Sequence, residues 1–117
     1  IVICDRFIDS TKAYQVYGKG VEKNFVDLIH KHILNKKNYP DLTFVLKANI
    51  SKAMSRLKKR KKKNRYDKFS SNFYLRVQKA FIKIAKKNNK RYCVIDNSTD
   101  SKSVEKVILD KLLKKIR

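Results

Sequence analysis

Apolar residues along the chain change their spacing in a regular order, which predicts alternating strands and helices. Short runs rich in β-branched side chains are typical of buried strands, whereas apolar positions three or four residues apart mark one face of a helix. On this basis strands are predicted at 1–4, 42–46 and 92–95, and helices at 10–17, 21–35, 51–60, from 70 or 71 through 85, and at 104–116.

Turn-forming and capping residues lie at the predicted boundaries. Gly18 and Gly20 end the first helix, Tyr39-Pro40-Asp41 is a turn before the second strand, and Ser70 or Ser71 can cap the fourth helix. Strands separated by helices favour parallel pairing, with helices covering the sheet. The sequence therefore predicts a single α/β domain over residues 1–117, without a linker or repeat.

The first apolar run leads directly into an Asp-Arg pair. Open α/β sheets bind ligands beyond the carboxyl ends of their strands, so Asp5 and Arg6 are expected at a ligand site. A guanidinium there is suited to an anion, because its planar fork can bind a phosphate through two hydrogen bonds.

Charge is the strongest compositional feature, with 31 Lys and Arg against 10 Asp and Glu and a formal net charge of +21. Such a charge suits a nucleic acid or another anionic partner, but solvated charge runs and AT-rich coding also produce it. Because lysine supplies most of this charge, the few arginines indicate where a bidentate group is needed. The candidates for phosphate binding are Arg6, Arg56, Arg60 and Arg65.

Cysteine and histidine give no sign of a metal site. Cys4 and Cys93 lie in apolar runs and are expected to be buried free thiols, as in a reducing cytosol. His30 and His32 point to different faces of a helix. Free thiols of this kind predict a cytoplasmic protein. No apolar run approaches the length of a membrane span.

One series of motifs resembles the thymidylate kinases, which are nucleoside monophosphate kinases. Their DR[YF]xxSxxAYQGxGRG segment is similar to Asp5-Arg6-Phe7, Ser10-Thr11, Ala13-Tyr14-Gln15 and Gly18-Lys19-Gly20, with the same spacing. The resemblance continues in order through Pro40-Asp41-Leu42-Thr43, Arg65-Tyr66-Asp67 and Val94-Ile95-Asp96. It implies a P-loop kinase-type parallel sheet with flanking helices.

The phosphate-binding motif of that family, G-x-x-x-x-G-K-[ST], does not occur in this sequence, in which Gly18 and Gly20 are the only glycines. The resemblance therefore covers the C-terminal portion of the family domain, and the sheet is expected to be incomplete. In the family, the P-loop strand lies between the strands that match residues 1–4 and 42–46. This piece alone is expected to be inactive, and unstable or aggregating, because strand edges would stay unpaired.

The resemblance also implies roles for single residues. Arg6 would hold the acceptor 5′-phosphate, and Asp5 would support the reacting phosphates or Mg²⁺. Thr11 would read the thymine edge with Gln15 beside it, and Tyr14 would exclude a 2′-hydroxyl. The alternatives are that Asp5 merely orients Arg6 and that the other residues are ordinary helix packing.

The segment from Arg56 through Asp67 resembles the family's arginine-bearing lid, which is placed at about residues 58–69. The resemblance implies that some of Arg56, Arg60 and Arg65 fold over ATP and stabilise charge at the γ-phosphate. Which arginine is catalytic stays open. The lysine-rich part of this segment also looks like a nucleic-acid patch or a solvated loop. Departures from the family pattern are Asn64 and Asp67 for Asp and Glu, Lys47 for a frequent Asp, and Gln78 for a frequent Arg; they put lid closure and its ion pairs in question.

The sequence therefore predicts a thymidylate kinase that converts dTMP and ATP to dTDP and ADP with Mg²⁺, for dTTP synthesis. By resemblance it would form a homodimer, with the helix at 21–35 as a candidate contact. Two alternatives are a deoxynucleoside kinase, which would accept the uncharged nucleoside, and a basic nucleic-acid-binding module.

Overall fold

The computed structural model describes residues 1–62, 64–99 and 101–117, with the backbone alone at 66 and 67. Lys63 and the side chains of Tyr66 and Asp67, which the sequence analysis assigns to the lid, lie outside this description. The described chain contains helices α1 (Ile8–Thr11), α2 (Lys23–Ile33), α3 (Ile50–Lys58), α4 (Ser71–Lys86) and α5 (Lys102–Ile116), strands β1 (Thr43–Lys47) and β2 (Tyr92–Asp96), a π-helix (Lys12–Gly18) that continues α1, and 3₁₀ turns Lys36–Asn38 and Arg65–Lys68.

The sheet confirms the predicted α/β class. Strands β1 and β2 pair in parallel, from Thr43 opposite Tyr92 to Lys47 opposite Asp96. Helices α3 and α4 connect them, and α4 packs against both strands. Val45 and Ile95 are buried on opposite faces, as expected for parallel strands that are covered on both sides.

The strand predicted at 1–4 is wrong for this structure, because those residues form no strand. Ile1, Val2 and Ile3 are 93%, 94% and 86% exposed. A strand needs a neighbour to accept and donate its ladder hydrogen bonds, and residues 1–4 pair with neither β1 nor β2 in the described sheet. The buried thiol predicted at Cys4 is exposed for the same reason, while Cys93 is half-buried and both thiols are free.

The core lies between the π-helix and α4. Its buried members are Ala13, Phe73, Val77 and Ala80. Helix α4 begins where its sequence predicts, because the Ser70 side chain accepts a hydrogen bond from the backbone N–H of Phe73 at 3.2 Å. Partly buried aromatic side chains surround this core: Tyr14, Tyr17, Phe69, Tyr74 and Phe81.

Gly18 has a steric role at the end of the π-helix. A Cβ atom there would lie 2.8 and 2.9 Å from the ring carbons of Phe73 and 3.2 Å from a methyl group of Val77. The Phe73 ring cannot move aside easily, because it is buried and stacks on Phe69 at a centroid distance of 4.2 Å. Gly18 therefore lets the π-helix approach α4 closely.

We expect Gly18→Ala to lower the free energy of unfolding by about 1–3 kcal/mol, the usual cost of overpacking. Gly20→Ala is the control, because a Cβ there meets no atom within 4 Å and pays only for its φ of +79°. Urea unfolding of both variants measures the difference. Restoration of stability by a second change, Phe73→Leu, would support the steric cause, and equal stability of Gly18→Ala and wild type would contradict it.

Helix α2 buries its less apolar side. Val26 and His30 are buried, whereas Phe25 and Ile33 are 55% and 68% exposed. Lys12 on the π-helix and Asp27 on α2 form an ion pair at 3.0 Å, which joins the two helices. The predicted apolar stripe of this helix therefore faces outward in the described chain.

None of the described helices has the length and apolar character that crossing a membrane requires.

Candidate active site

The Asp-Arg pair lies in a bend that leads into α1. Arg6 has a φ of +65°, a left-handed conformation that is uncommon for a residue with a side chain. The Cys4 thiol lies 3.3 Å from the Arg6 carbonyl oxygen, to which it donates a hydrogen bond. Asp5 is exposed beside it. The bend turns the chain sharply before α1 begins.

The Arg6 guanidinium lies over the ring of Tyr14, with 5.3 Å between its central carbon and the ring centroid. The ring is held by Phe73 and Phe81, at centroid distances of 6.0 and 6.3 Å. Such edge and tilted aromatic contacts fix a ring in a defined orientation. The structure thus brings two predicted acceptor-binding residues into contact, the exposed cation of Arg6 and the flat ring of Tyr14.

The remaining predicted acceptor residues lie on the same helical segment. Thr11 is exposed at the end of α1, and Gln15 is half-buried in the π-helix. The wider winding of a π-helix is rare and is often found at functional sites. Residues 5–18, which we call the acceptor segment, therefore carry every predicted acceptor residue.

A buried carboxylate anchors the acceptor segment to the sheet, and the sequence analysis did not identify it. Asp9 accepts a hydrogen bond from the Tyr92 hydroxyl at 2.8 Å and from Arg91 Nη2 at 3.1 Å. Burial raises the pKa of Tyr92, and the hydrogen bond to Asp9 raises it further. The hydroxyl of Tyr92 therefore stays a hydrogen-bond donor at any ordinary pH.

Arg56 binds the loop after β2. Its Nη2 donates to the carbonyl oxygens of Asn97 and Ser98 at 3.0 and 2.6 Å. The same loop is fixed to β1, because the backbone N–H of Asn97 donates to the Lys47 carbonyl at 2.7 Å. Arg56 thus ties α3 to the loop that lies at the carboxyl ends of the two strands.

The other two predicted lid arginines lie in the connection between α3 and α4. Arg60 and Arg65 are exposed, with Arg65 at the start of the 3₁₀ turn. Exposure on a connection between helices is compatible with closure over a ligand. The structure therefore separates Arg56, which supports the sheet edge, from two arginines on the lid segment.

Two of the departures from the family pattern have local partners. Lys47 lies opposite Asp96, and the pKa of Asp96 is lowered by hydrogen bonds from Ser98 and, more weakly, by Lys47. The side-chain oxygen of Gln78 accepts from the backbone N–H of Ala48 at 2.9 Å. Arginine has no acceptor atom, so it could not make this bond.

Comparison with known proteins identifies the family. The family model described as "Thymidylate kinase" matches residues 1–108. The chain belongs to the thymidylate kinase family. It is similar to the thymidylate kinase of Wolbachia pipientis subsp. Culex pipiens (strain wPip), with 42% identity over 116 residues that cover 97% of this chain and 54% of the relative. The thymidylate kinase of Ehrlichia chaffeensis (strain ATCC CRL-10679 / Arkansas) is 39% identical over 107 residues, covering 92% and 50%.

A solved structure supports the same assignment. The crystal structure of thymidylate kinase from Ehrlichia chaffeensis matches with a TM-score of 0.63 and 34% identity, over 97% of this chain and 49% of that one. The family's fold is therefore shown for the described elements. The chain spans about half the length of the curated relatives it matches.

Proposed function

We propose that the protein containing this chain transfers the γ-phosphate of ATP to dTMP, giving dTDP and ADP. The observation that carries the proposal is the Arg6 guanidinium over the Tyr14 ring, within the family segment that binds the acceptor. Phosphoryl transfer requires mainly that two phosphates be held in line and that their charge be stabilised. The acceptor segment and the lid arginines supply residues for both tasks.

On the acceptor side, Arg6 would bind the 5′-phosphate of dTMP through its fork, with Tyr14 limiting where the guanidinium can move. Thr11 and Gln15 would hydrogen-bond the thymine, and Tyr14 would fill the space of a 2′-hydroxyl. A ring fixed by two aromatic neighbours excludes an extra hydroxyl better than a mobile one. These assignments give the site a preference for a deoxynucleotide.

On the donor side, Arg60 and Arg65 would approach the transferring phosphoryl group when the lid closes. Arg56 would act indirectly, by fixing the loop at 97–98. Bound Mg²⁺ and ATP would supply charge neutralisation and the phosphoryl group. No group of three His, Cys, Asp or Glu side chains gathers among the described residues, and the single carboxylate of Asp5 fits Mg²⁺ held largely by phosphates and water.

An acceptor panel tests the proposal against its alternatives. The protein as its gene encodes it, with any sequence flanking residues 1–117, is given ATP with dTMP, dUMP or thymidine. Phosphorylation of dTMP supports the proposal, whereas phosphorylation of thymidine but not dTMP supports a deoxynucleoside kinase. Steeply salt-dependent DNA binding without any nucleotide effect would support the nucleic-acid module.

We propose that the enzyme works in the cytoplasm, because both thiols are free, as in a reducing compartment. We further propose that a second copy of this protein covers the apolar stripe of α2. The stripe consists of Phe25, Leu28, Ile29 and Ile33, all exposed in the described chain. An apolar patch of this kind commonly marks an interface.

We expect Leu28→Asp to shift the protein from dimer to monomer, because a carboxylate in an apolar interface loses its hydration. Lys31→Asp introduces the same group at an exposed position outside the stripe and is the control. Sedimentation velocity measures both. A dimer that survives Leu28→Asp, or a monomeric wild type, would contradict the proposed contact.

A further inference from the structure

Asp9 is an unusual residue in this basic chain, because it is a carboxylate that is only 8% exposed. Burying a charge is unfavourable unless it is paired and hydrogen-bonded. Here both carboxylate oxygens have a partner from β2 or the residue before it, Tyr92 and Arg91.

The partners of Asp9 are themselves held in place. The Arg91 side chain is 16% exposed, and its guanidinium lies over the rings of Tyr92 and Tyr39, 4.7 and 5.8 Å from their centroids. Tyr92 is the first residue of β2. Asp9 is thus joined to a rigid part of the sheet, across 82 and 83 positions of sequence.

Besides the Lys12–Asp27 ion pair and the ring contacts of Tyr14, the acceptor segment is attached to the rest of the chain at three points. Its middle packs into the core through Ala13, and its end lies against α4, where Arg76 donates to the Gly18 carbonyl at 3.3 Å. Its beginning, which bears Arg6 and Thr11, is attached through Asp9. Because Asp9 lies three residues after Arg6 and two before Thr11, its bonds to Arg91 and Tyr92 hold this part of the segment against β2.

We infer that Asp9 is a positioning residue for the acceptor nucleotide: by tying α1 to Arg91 and Tyr92, it fixes Arg6 and Thr11 at the distances that dTMP binding requires. The inference rests on the proposed function. A displacement of about 1 Å of binding groups by a remote change can weaken an enzyme's action severely. Asp9 itself does not contact substrate in this account.

Three variants, which we call the anchor variants, weaken the bonds of Asp9 to Arg91 and Tyr92 to different degrees. Asp9→Ala removes both hydrogen bonds, Asp9→Asn keeps an acceptor for Tyr92 but loses the ion pair, and Tyr92→Phe removes one hydrogen bond with little change in packing. Calorimetry with dTMP alone, on the protein as its gene encodes it, measures affinity without turnover. We expect dTMP to bind on the order of three- to tenfold more weakly in Asp9→Ala, with smaller losses in the other two.

Two controls separate positioning from general loss of structure. Asp110→Asn removes an exposed carboxylate on α5, and Val104→Ala truncates a buried side chain on the same helix. Val104→Ala should lower the melting temperature without changing the dTMP affinity, and Asp110→Asn should change neither. The KM for ATP should also stay unchanged in all the anchor variants.

The two hypotheses fail in different ways. A wild-type protein that does not bind dTMP would overturn the proposed function. A wild type that binds dTMP, with unchanged affinity in Asp9→Asn and Tyr92→Phe, would overturn the positioning role alone. A loss in Val104→Ala equal to that in the anchor variants would show that the effect is general destabilisation, and would also overturn it.

Discussion

Lysine in place of Arg6 is expected to lower kcat/KM for dTMP roughly hundredfold, because a guanidinium makes two charge-assisted hydrogen bonds to phosphate and an ammonium cannot reproduce the pair. The charge is kept, so long-range attraction of dTMP changes little. Lysine at a φ of +65° carries a backbone cost similar to that of arginine. The decrease in kcat/KM therefore measures the contribution of the two hydrogen bonds that only a guanidinium can make.

Steady-state kinetics with dTMP as the varied substrate measures this effect. Arg117→Lys is the matched control, since Arg117 is exposed and lies beyond the residues that match the family model. Circular dichroism confirms that the variant keeps its fold. An Arg6→Lys enzyme within twofold of wild type would remove Arg6 from the phosphate site.

One lid arginine is expected to have a larger effect on turnover. A change to lysine at whichever of Arg60 and Arg65 contacts the transferring phosphoryl group should lower kcat by about a thousandfold, the lower end for such an arginine. The KM for dTMP should change little, because the interaction is made in the transition state. Arg56→Lys should act differently, lowering thermal stability through the carbonyls of Asn97 and Ser98.

The control for the lid is Lys61→Ala, which removes a charge from the same exposed segment. Single-turnover measurements separate the chemical step from product release. If Arg60→Lys and Arg65→Lys both retain wild-type turnover, the catalytic lid hypothesis is wrong. If Lys61→Ala lowers turnover equally, the effect is one of overall charge.

The regular elements could be predicted from the sequence because their signals are local. Strands β1 and β2 and helices α3, α4 and α5 begin and end within a few residues of the periodicity that indicates them. Ser70 caps α4 as its type suggests. The prediction of a strand at 1–4 was wrong because an apolar run indicates only a local preference for extended backbone. A strand also requires a neighbouring strand to pair with.

Only those residues of the site that belong to a recognisable sequence motif could be predicted. Arg6 and Tyr14 belong to one motif, and the structure places them together. The π-helix has no distinct sequence signal here, and Asp9 meets Arg91 across most of the chain. The roles of Arg56 and Gln78 depend on a loop and a backbone N–H that only the folded sheet edge brings near.

The most direct test of this account is the product formed from dTMP and ATP by the protein as its gene encodes it, including whatever flanks residues 1–117. We expect dTDP and ADP in equal amounts, and slower dTDP formation in Arg6→Lys. Phosphorus NMR of the reaction mixture identifies both products directly. ATP that is hydrolysed or left intact while dTMP remains unchanged would contradict the proposed phosphoryl transfer to dTMP.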